Sequence, residues 1–311
     1  MKMIKSIKAF APATVANVGC GYDVLGFALE EYGDELTLTE RKDDQLVIGI
    51  IQGVSGIPLD PAKNVASVTI RAILEELKIS KGFDIKIKKN IAAGSGLGSS
   101  ASSAAAAAYA VNKILGSPKS RKELIKFAME GERVASTKAH ADNVAASILG
   151  GFTVVRSYDP LDVFNIPYPE DLRVVIIFPQ VEVKTSDAKK ILKEEVKLSD
   201  AVKQWGNVAG LVSGLIQHDF ERIGNSLQDV IIEPTRSILI PLYREMKTIA
   251  LKAGALGFSI SGSGPSMFCF VRHNSDSSII IERAKELYEK SGINIISFVS
   301  RINNVGVKTL D

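Results

Sequence analysis

Lys88-Lys89-Asn90-Ile91-Ala92-Ala93-Gly94-Ser95-Gly96-Leu97-Gly98-Ser99-Ser100-Ala101-Ser102-Ser103 is the stretch that decides how this chain is read. Before it, Phe83, Ile85 and Ile87 alternate with Asp84, Lys86 and Lys88, the period of two of a half-buried strand. After it, Ala104 to Ala108 followed by Val111, Ile114 and Leu115 predict a strong helix with one apolar face. A strand that breaks into a Gly/Ser loop and opens a helix aims main-chain amides at an anion. The first N–H groups of a helix lack internal partners, and its dipole favours negative charge there. Glycines let a phosphate approach the main chain, and serine hydroxyls can donate to it or reach a metal. The Walker pattern Gly-x-x-x-x-Gly-Lys-Ser/Thr occurs nowhere in the chain. By composition alone, a flexible loop packed under an Ala-rich helix is the other reading.

The whole chain limits the alternatives. Its 311 residues suffice for a sizeable core and sit near the length at which one core divides into two. A net charge of +3 spread along the sequence gives no nucleic-acid footprint, and aromatics at 6% offer no base-stacking surface. Cys20 and Cys269 stand far apart, as free thiols of a reducing compartment do. Met1-Lys2-Met3-Ile4-Lys5 has no apolar signal core, and no run approaches a membrane span. The expectation is a cytoplasmic protein without nucleic-acid or membrane partners.

In order, Ile4 to Phe10 predicts a short strand leading into Ala11-Pro12-Ala13-Thr14-Val15-Ala16-Asn17-Val18-Gly19-Cys20-Gly21-Tyr22-Asp23, a loop whose Asn and Asp are turn formers by default. Glu35 to Glu40 and Leu46 to Gln52 predict strands, and Asp60-Pro61-Ala62-Lys63-Asn64-Val65 starts a helix to about Leu77 with Asp60 or Asn64 near the cap. A helix from about Ser120 to Lys138 carries Glu130 and Glu132. These project about 200° apart and cannot share one task. Then come His140-Ala141-Asp142-Asn143 and Gly150-Gly151. The Pro-rich passage from Tyr158 to Pro169 predicts a domain boundary. Beyond it lie a buried strand over Arg173 to Phe178 and helices over Ser199–Gln217, Phe220–Val230 and Pro241–Ala253. Gly254 to Ser266 reads as a strand and a glycine turn into a second strand, Met267 to Val271. A helix over Ile279–Lys290 and a last strand over Asn294–Ile302 complete the chain.

Gly96-Leu97-Gly98-Ser99-Ser100-Ala101 resembles the second motif of the GHMP kinases, which include galacto-, homoserine, mevalonate and phosphomevalonate kinases. The loop from Pro12 to Leu29 resembles the first motif in its homoserine-kinase form, with Cys20 where Pro is usual. His140-Ala141-Asp142-Asn143-Val144 resembles the corresponding homoserine-kinase stretch, with Ala146 in place of Pro. Ser261-Gly262-Ser263-Gly264 resembles the third, glycine-rich motif that closes over the active site. The three motifs occur in order along the whole chain.

The resemblance implies an α+β, two-domain GHMP kinase fold. Residues 1–165 form an ATP-binding domain like ribosomal protein S5 domain 2, and residues 166–311 a ferredoxin-like C-terminal domain. It implies transfer of the ATP γ-phosphoryl group to the side-chain hydroxyl of L-homoserine, with Mg²⁺. In the same terms, Asn64 and Val65 lie beside the adenine. Ala92, Ala93, Gly94, Ser95, Gly96, Leu97, Gly98, Ser99, Ser100, Ala101 and Ser102 hold the phosphates, and Ser100 and Glu132 hold the metal. The family spacing back from Asn143 selects Glu132 over Glu130. Lys89 adds positive charge near the phosphates. Asn17, Asp23, His140, Asn143, Thr185, Lys189, Arg236 and Gly262 form the amino-acid pocket: Asp23 for the ammonium, the cations for the carboxylate, Asn143 for the reacting hydroxyl. Lys189 replaces the family's Arg, a point charge for a two-pronged grip. Of Asp142 and Asn143, only one is expected to face the substrate. That one is Asn143, so no carboxylate base is expected.

The alternatives are a GHMP kinase for another alcohol, of mevalonate or shikimate type, and a non-catalytic GHMP-fold regulatory module. Oligomeric state stays open, a homodimer being the assembly considered.

Overall fold

The computed structural model describes residues 5–135, 140–181, 183, 188 and 190–310. Two sheets carry it. The first has the order β11-β1-β2-β4-β3, formed by β1 (Ser6–Ala16), β2 (Leu25–Glu40), β3 (Leu46–Gln52), β4 (Phe83–Lys88) and β11 (Lys308–Leu310). β5 (Phe152–Tyr158) pairs with β2, and β6 (Leu161–Ile166) pairs with β5. The strand expected at 35–40 is the second half of one long strand, β2. Its first residues pair with β5 and its last with β4. The Pro-rich passage read as a domain boundary holds β6 in its first half, because Asp159 and Pro160 make the turn of a β5–β6 hairpin. The C-terminal strand β11, not foreseen, returns to β1.

Four helices pack on one face of this sheet: α1 (Val65–Leu77), α2 (Ser99–Ile114), α3 (Arg121–Ala135) and α4 (Ala141–Leu149). In α2, residues 101–112 are all buried, so the helix is enclosed on every side rather than on one face. Five consecutive alanines explain how: with no side chain beyond Cβ, α2 fits between the sheet and its neighbours α1, α3 and α4. That central position fixes where its N-terminus opens.

The second sheet has the order β10-β7-β9-β8, with β7 (Leu172–Pro179), β8 (Gly257–Ile260), β9 (Met267–Arg272) and β10 (Ile295–Ser300) all antiparallel. This is the ferredoxin-like order. Between β7 and β8 lie α5 (Leu198–Gln217), α6 (Phe220–Ser226), the single turn α7 (Glu233–Arg236) and α8 (Tyr243–Lys252); α9 (Ser278–Glu289) joins β9 to β10. One core sits beneath α8 and α9. Another joins the two sheets through Phe27, Phe152, Phe268 and Phe270, whose ring centroids lie 4.9–6.0 Å apart. Each such aromatic pair adds about 0.5–1.5 kcal/mol beyond its buried area, so this cluster holds the two halves in register.

Candidate active site

Three glycine-bearing segments, far apart in sequence, are stitched together by their main chains. Thr14 N donates to Leu97 O (3.1 Å), Gly262 N to Ala16 O (3.0 Å) and Ser266 N to Ser95 O (3.1 Å). The Ser261 hydroxyl donates to Gly96 O (2.7 Å). The contacts leave no room for side chains. A Cβ on Gly96, at φ +80°, would lie 2.5 Å from Ser261 O, and one on Gly98, at φ +69°, would lie 2.1 Å from Thr14 Oγ1. Both glycines therefore serve positive φ and close approach at once.

Beside this seam lies a cavity of about 410 Å³. Gly98 is the N-cap of α2 and supplies no side chain, so the amides of the first turn are left for a ligand. Ala93, Gly94, Ser95, Gly96, Gly98, Ser99 and Ser100 line the cavity. Ala92, Leu97, Ala101 and Ser102, expected with them, do not. Leu97 and Ala101 turn into the cores, and the buried Ser102 hydroxyl donates to Ala11 O (2.8 Å). Ser99 likewise spends its hydroxyl on Ile91 O (2.8 Å).

Ser100 is different. Its hydroxyl donates to Glu132 Oε2 over 3.1 Å, and Glu132 Oε1 is buried without a partner among the described residues. Burial pushes the Glu132 carboxyl up to about 7, against the pull of Ser100 and of the Lys89 charge. An orphaned, desolvated carboxylate oxygen beside a hydroxyl suits a small hard cation, and Mg²⁺ fits. It takes few protein oxygens and completes its shell with water and phosphate. Glu130 is exposed and paired with Arg133 (3.0 Å).

Lys89 is 3% exposed and its ammonium faces Asp34, Ser99 O (2.6 Å) and the Ser103 hydroxyl (3.1 Å). An ammonium has three N–H donors, and all three are used here. Its effect on a ligand is through its charge, and its position is set by Asp34. Asp34 also takes the N–H of Asn90 (2.8 Å) and Ile91 (3.1 Å) and so fastens the strand to the loop. Sequence reasoning missed Asp34, whose only signal is a carboxylate in the middle of a strand.

At one end the cavity is apolar, with Ile57, Pro58, Val65, Val134 and Ala135. Asn64 caps α1: its oxygen accepts from Ala66 N (3.0 Å) and its amide donates to Pro58 O (2.8 Å), which positions that wall. Ile57, Pro58, Val134 and Ala135 were not foreseen, since four apolar residues from two segments carry no local pattern.

At the other end both signs of charge meet. His140 Nδ1 lies 3.1 Å from Asp23 Oδ1, and Asp142 is buried beside them. Burial, then the charge of Asp23, pushes the Asp142 carboxyl up to about 6. Asp142 and Asn143 both line the cavity, contrary to the expectation that only one would, because α4 begins there and its first turn presents neighbouring residues to the same space. The Asn143 oxygen accepts from the Thr14 hydroxyl (2.7 Å), which leaves its NH₂ as donor. Arg236, 3% exposed, donates to Gly262 O (3.0 Å) and Ala188 O (3.3 Å); Asn17 donates to the same Gly262 O (2.9 Å) and accepts from Asp23 N (2.8 Å). Thr185 and Lys189 lie outside the described residues.

Comparison with known proteins identifies the family. The model of the GHMP kinase N-terminal domain matches residues 64–151, and that of the GHMP kinase C-terminal domain matches residues 211–290. A protein named homoserine kinase from Chloroherpeton thalassium is 49% identical, over 92% of this chain and 93% of its own. One from Pyrococcus abyssi is 37% identical over 94% and 96%. The crystal structure of homoserine kinase from Cytophaga hutchinsonii superposes with a TM-score of 0.96 at 48% identity, covering 100% of this chain and 99% of that one. No helix among the described residues is long and apolar enough to cross a membrane. The chain belongs to the GHMP kinase family, among its homoserine kinases.

Proposed function

We propose that this protein transfers the γ-phosphoryl group of ATP to the side-chain hydroxyl of L-homoserine, giving O-phospho-L-homoserine. The observation that carries the reading is that one cavity joins the amide-lined N-terminus of α2 to a pocket holding Asp23, Asp142 and Arg236. A zwitterionic amino acid needs an anion for its ammonium and a cation for its carboxylate. Mevalonate and shikimate carry no ammonium to answer the half-buried Asp23 and the buried Asp142, and a non-catalytic module has no use for the orphaned oxygen of Glu132.

Phosphoryl transfer has a loose transition state, so the protein's work is positioning and charge neutralisation. The amides from Gly94 to Ser100 cradle the phosphates, and Lys89 adds charge from beneath the loop. Ser100 and Glu132 hold Mg²⁺, which when bound neutralises charge on the phosphate oxygens. The slot beside Val65 takes the adenine. Asp23, His140 and Asp142 receive the ammonium, and Asn17 holds Asp23 in place. Arg236 takes the carboxylate, a task the family resemblance also gives to Lys189 and Thr185. The Asn143 NH₂ donates to the acceptor oxygen and orients it, but an amide cannot take a proton. The new O–P bond forms as the β–γ bridging O–P bond breaks, and the hydroxyl proton leaves late, to phosphate or solvent. In this assignment residues 1–165 bind the nucleotide and residues 166–311 close the pocket, in a cytoplasmic enzyme.

The test is an ADP-release assay with Mg²⁺-ATP over a panel of amino alcohols and polyols. L-Homoserine should exceed every other acceptor in kcat/KM by at least about tenfold. Equal or better turnover of mevalonate or shikimate would replace this reading with the second.

A further inference from the structure

Arg236 is held in its own plane by two carbonyls, Gly262 O at 3.0 Å and Ala188 O at 3.3 Å. These bonds use two of its five N–H donors, and the Tyr22 phenol also engages the guanidinium, so the remaining donors can form a fork toward a ligand. The two carbonyl bonds do not stop the guanidinium from tilting out of that plane. Tyr22 does: the guanidinium lies over its ring, 5.0 Å from Cζ to ring centroid, and Tyr22 itself lines the cavity next to Asp23. Burial and the Asp23 charge push the phenol up from its usual value, so the ring stays neutral and presents an electron-rich face to the cation.

The turn that carries Tyr22 is fixed. Gly21 N donates to Val18 O (3.0 Å), and Val24 N (3.1 Å) and Leu25 N (2.9 Å) both donate to Gly21 O. A Cβ on Gly21 would lie 2.5 Å from the Leu25 side chain, so the turn before Tyr22 packs closely on Leu25. Asp23, at φ +56°, then turns its carboxylate toward His140. One rigid loop thus supplies an anion for one end of the ligand and a platform for the cation that takes the other.

We propose that Tyr22 is a positioning residue that sets acceptor specificity: its ring locks the Arg236 guanidinium flat for two-pronged capture of the acceptor's carboxylate. The proposal rests on the reading that the cavity holds an amino-acid alcohol. It assigns a flat aromatic ring, rather than a further charge, to discrimination between an amino acid and the same amino alcohol without its carboxyl group.

The experiment compares Tyr22→Phe and Tyr22→Leu with the unmodified protein on L-homoserine and on 3-amino-1-propanol, its decarboxylated counterpart, at saturating Mg²⁺-ATP. Tyr22→Leu should raise KM for L-homoserine about tenfold while the ATP KM stays within twofold. Its kcat/KM for 3-amino-1-propanol should change less than twofold, so the preference for the carboxylate-bearing acceptor drops about tenfold. Tyr22→Phe keeps the ring and should restore the preference. Titration calorimetry of L-homoserine against the three proteins without ATP gives the same comparison independently of turnover, with about tenfold weaker binding for Tyr22→Leu alone. Equal losses on both acceptors, or an unchanged preference in Tyr22→Leu, would overturn the proposal. Absence of turnover in the unmodified protein would count against the proposed function, and calorimetry would still decide the role of Tyr22.

Discussion

The Ser100 hydroxyl donates to one carboxylate oxygen of Glu132, and the other oxygen is enclosed without a partner among the described residues. A desolvated carboxylate in that condition binds a proton or a cation in competition. Glu132→Gln should therefore raise the Mg²⁺ concentration for half-maximal activity at least about tenfold. Glu130→Gln, which changes an exposed residue paired with Arg133, should leave it unmoved. A magnesium titration reads both, and the reverse pattern would displace Glu132 from the metal site.

The same burial has a consequence for stability. Glu132 moves from 4.5 up to about 7 and Asp142 from 3.8 up to about 6 on folding, both through desolvation first. Between these values the folded protein holds protons that the unfolded chain has released. Stability present below pH 4 is accordingly lost as pH rises through 6 to 7. The Glu132 share is about 3 kcal/mol. Thermal unfolding of the metal-free protein should show Tm falling from pH 5 to pH 8, and the fall should be smaller in Glu132→Gln. An identical pH slope in that variant would contradict the assignment.

Asp142 tests the absence of a base. It sits with Asp23 and His140 where the proposed function places the ammonium, and its Oδ1 accepts the Asn143 N–H (2.9 Å). Asp142→Asn should raise KM for L-homoserine and reduce kcat by much less than the ~10²–10⁴-fold that base catalysis contributes. A thousand-fold loss of kcat with unchanged homoserine binding would make Asp142 the base.

Lys89 and Asp34 form an ion pair with side chains 2% and 1% exposed. Removing one partner leaves a buried charge, which costs about 3–5 kcal/mol. Lys89→Met should lower Tm markedly, and Lys89→Met with Asp34→Asn should recover part of the loss. A double variant no more stable than Lys89→Met would show that the two residues act separately.

The glycine–serine loop was legible in the sequence because glycine, serine and an abrupt change of period report backbone needs that few other residues meet. Gly96 and Gly98 stand where a Cβ would strike the neighbouring main chain or Thr14, and such constraints are local enough to leave a mark. Arg236 and Glu132 were legible only through resemblance, since each reads by itself as a surface helix residue. Asp34, Tyr22 and the wall of Ile57 and Pro58 act through partners more than 50 residues away or through shape, and neither leaves a periodicity. The hairpin of β5 and β6 was hidden for a different reason: prolines mark turns within a sheet as readily as breaks between domains.

The central claim is that the loop from Gly94 to Ser100 and the N-terminus of α2 hold the triphosphate. Its most direct test is a crystal structure with a non-hydrolysable ATP analogue, Mg²⁺ and L-homoserine. The account predicts the β- and γ-phosphates against the amides of that loop, the metal on Ser100 Oγ and Glu132, and the homoserine carboxylate at Arg236. A triphosphate bound anywhere else would contradict it.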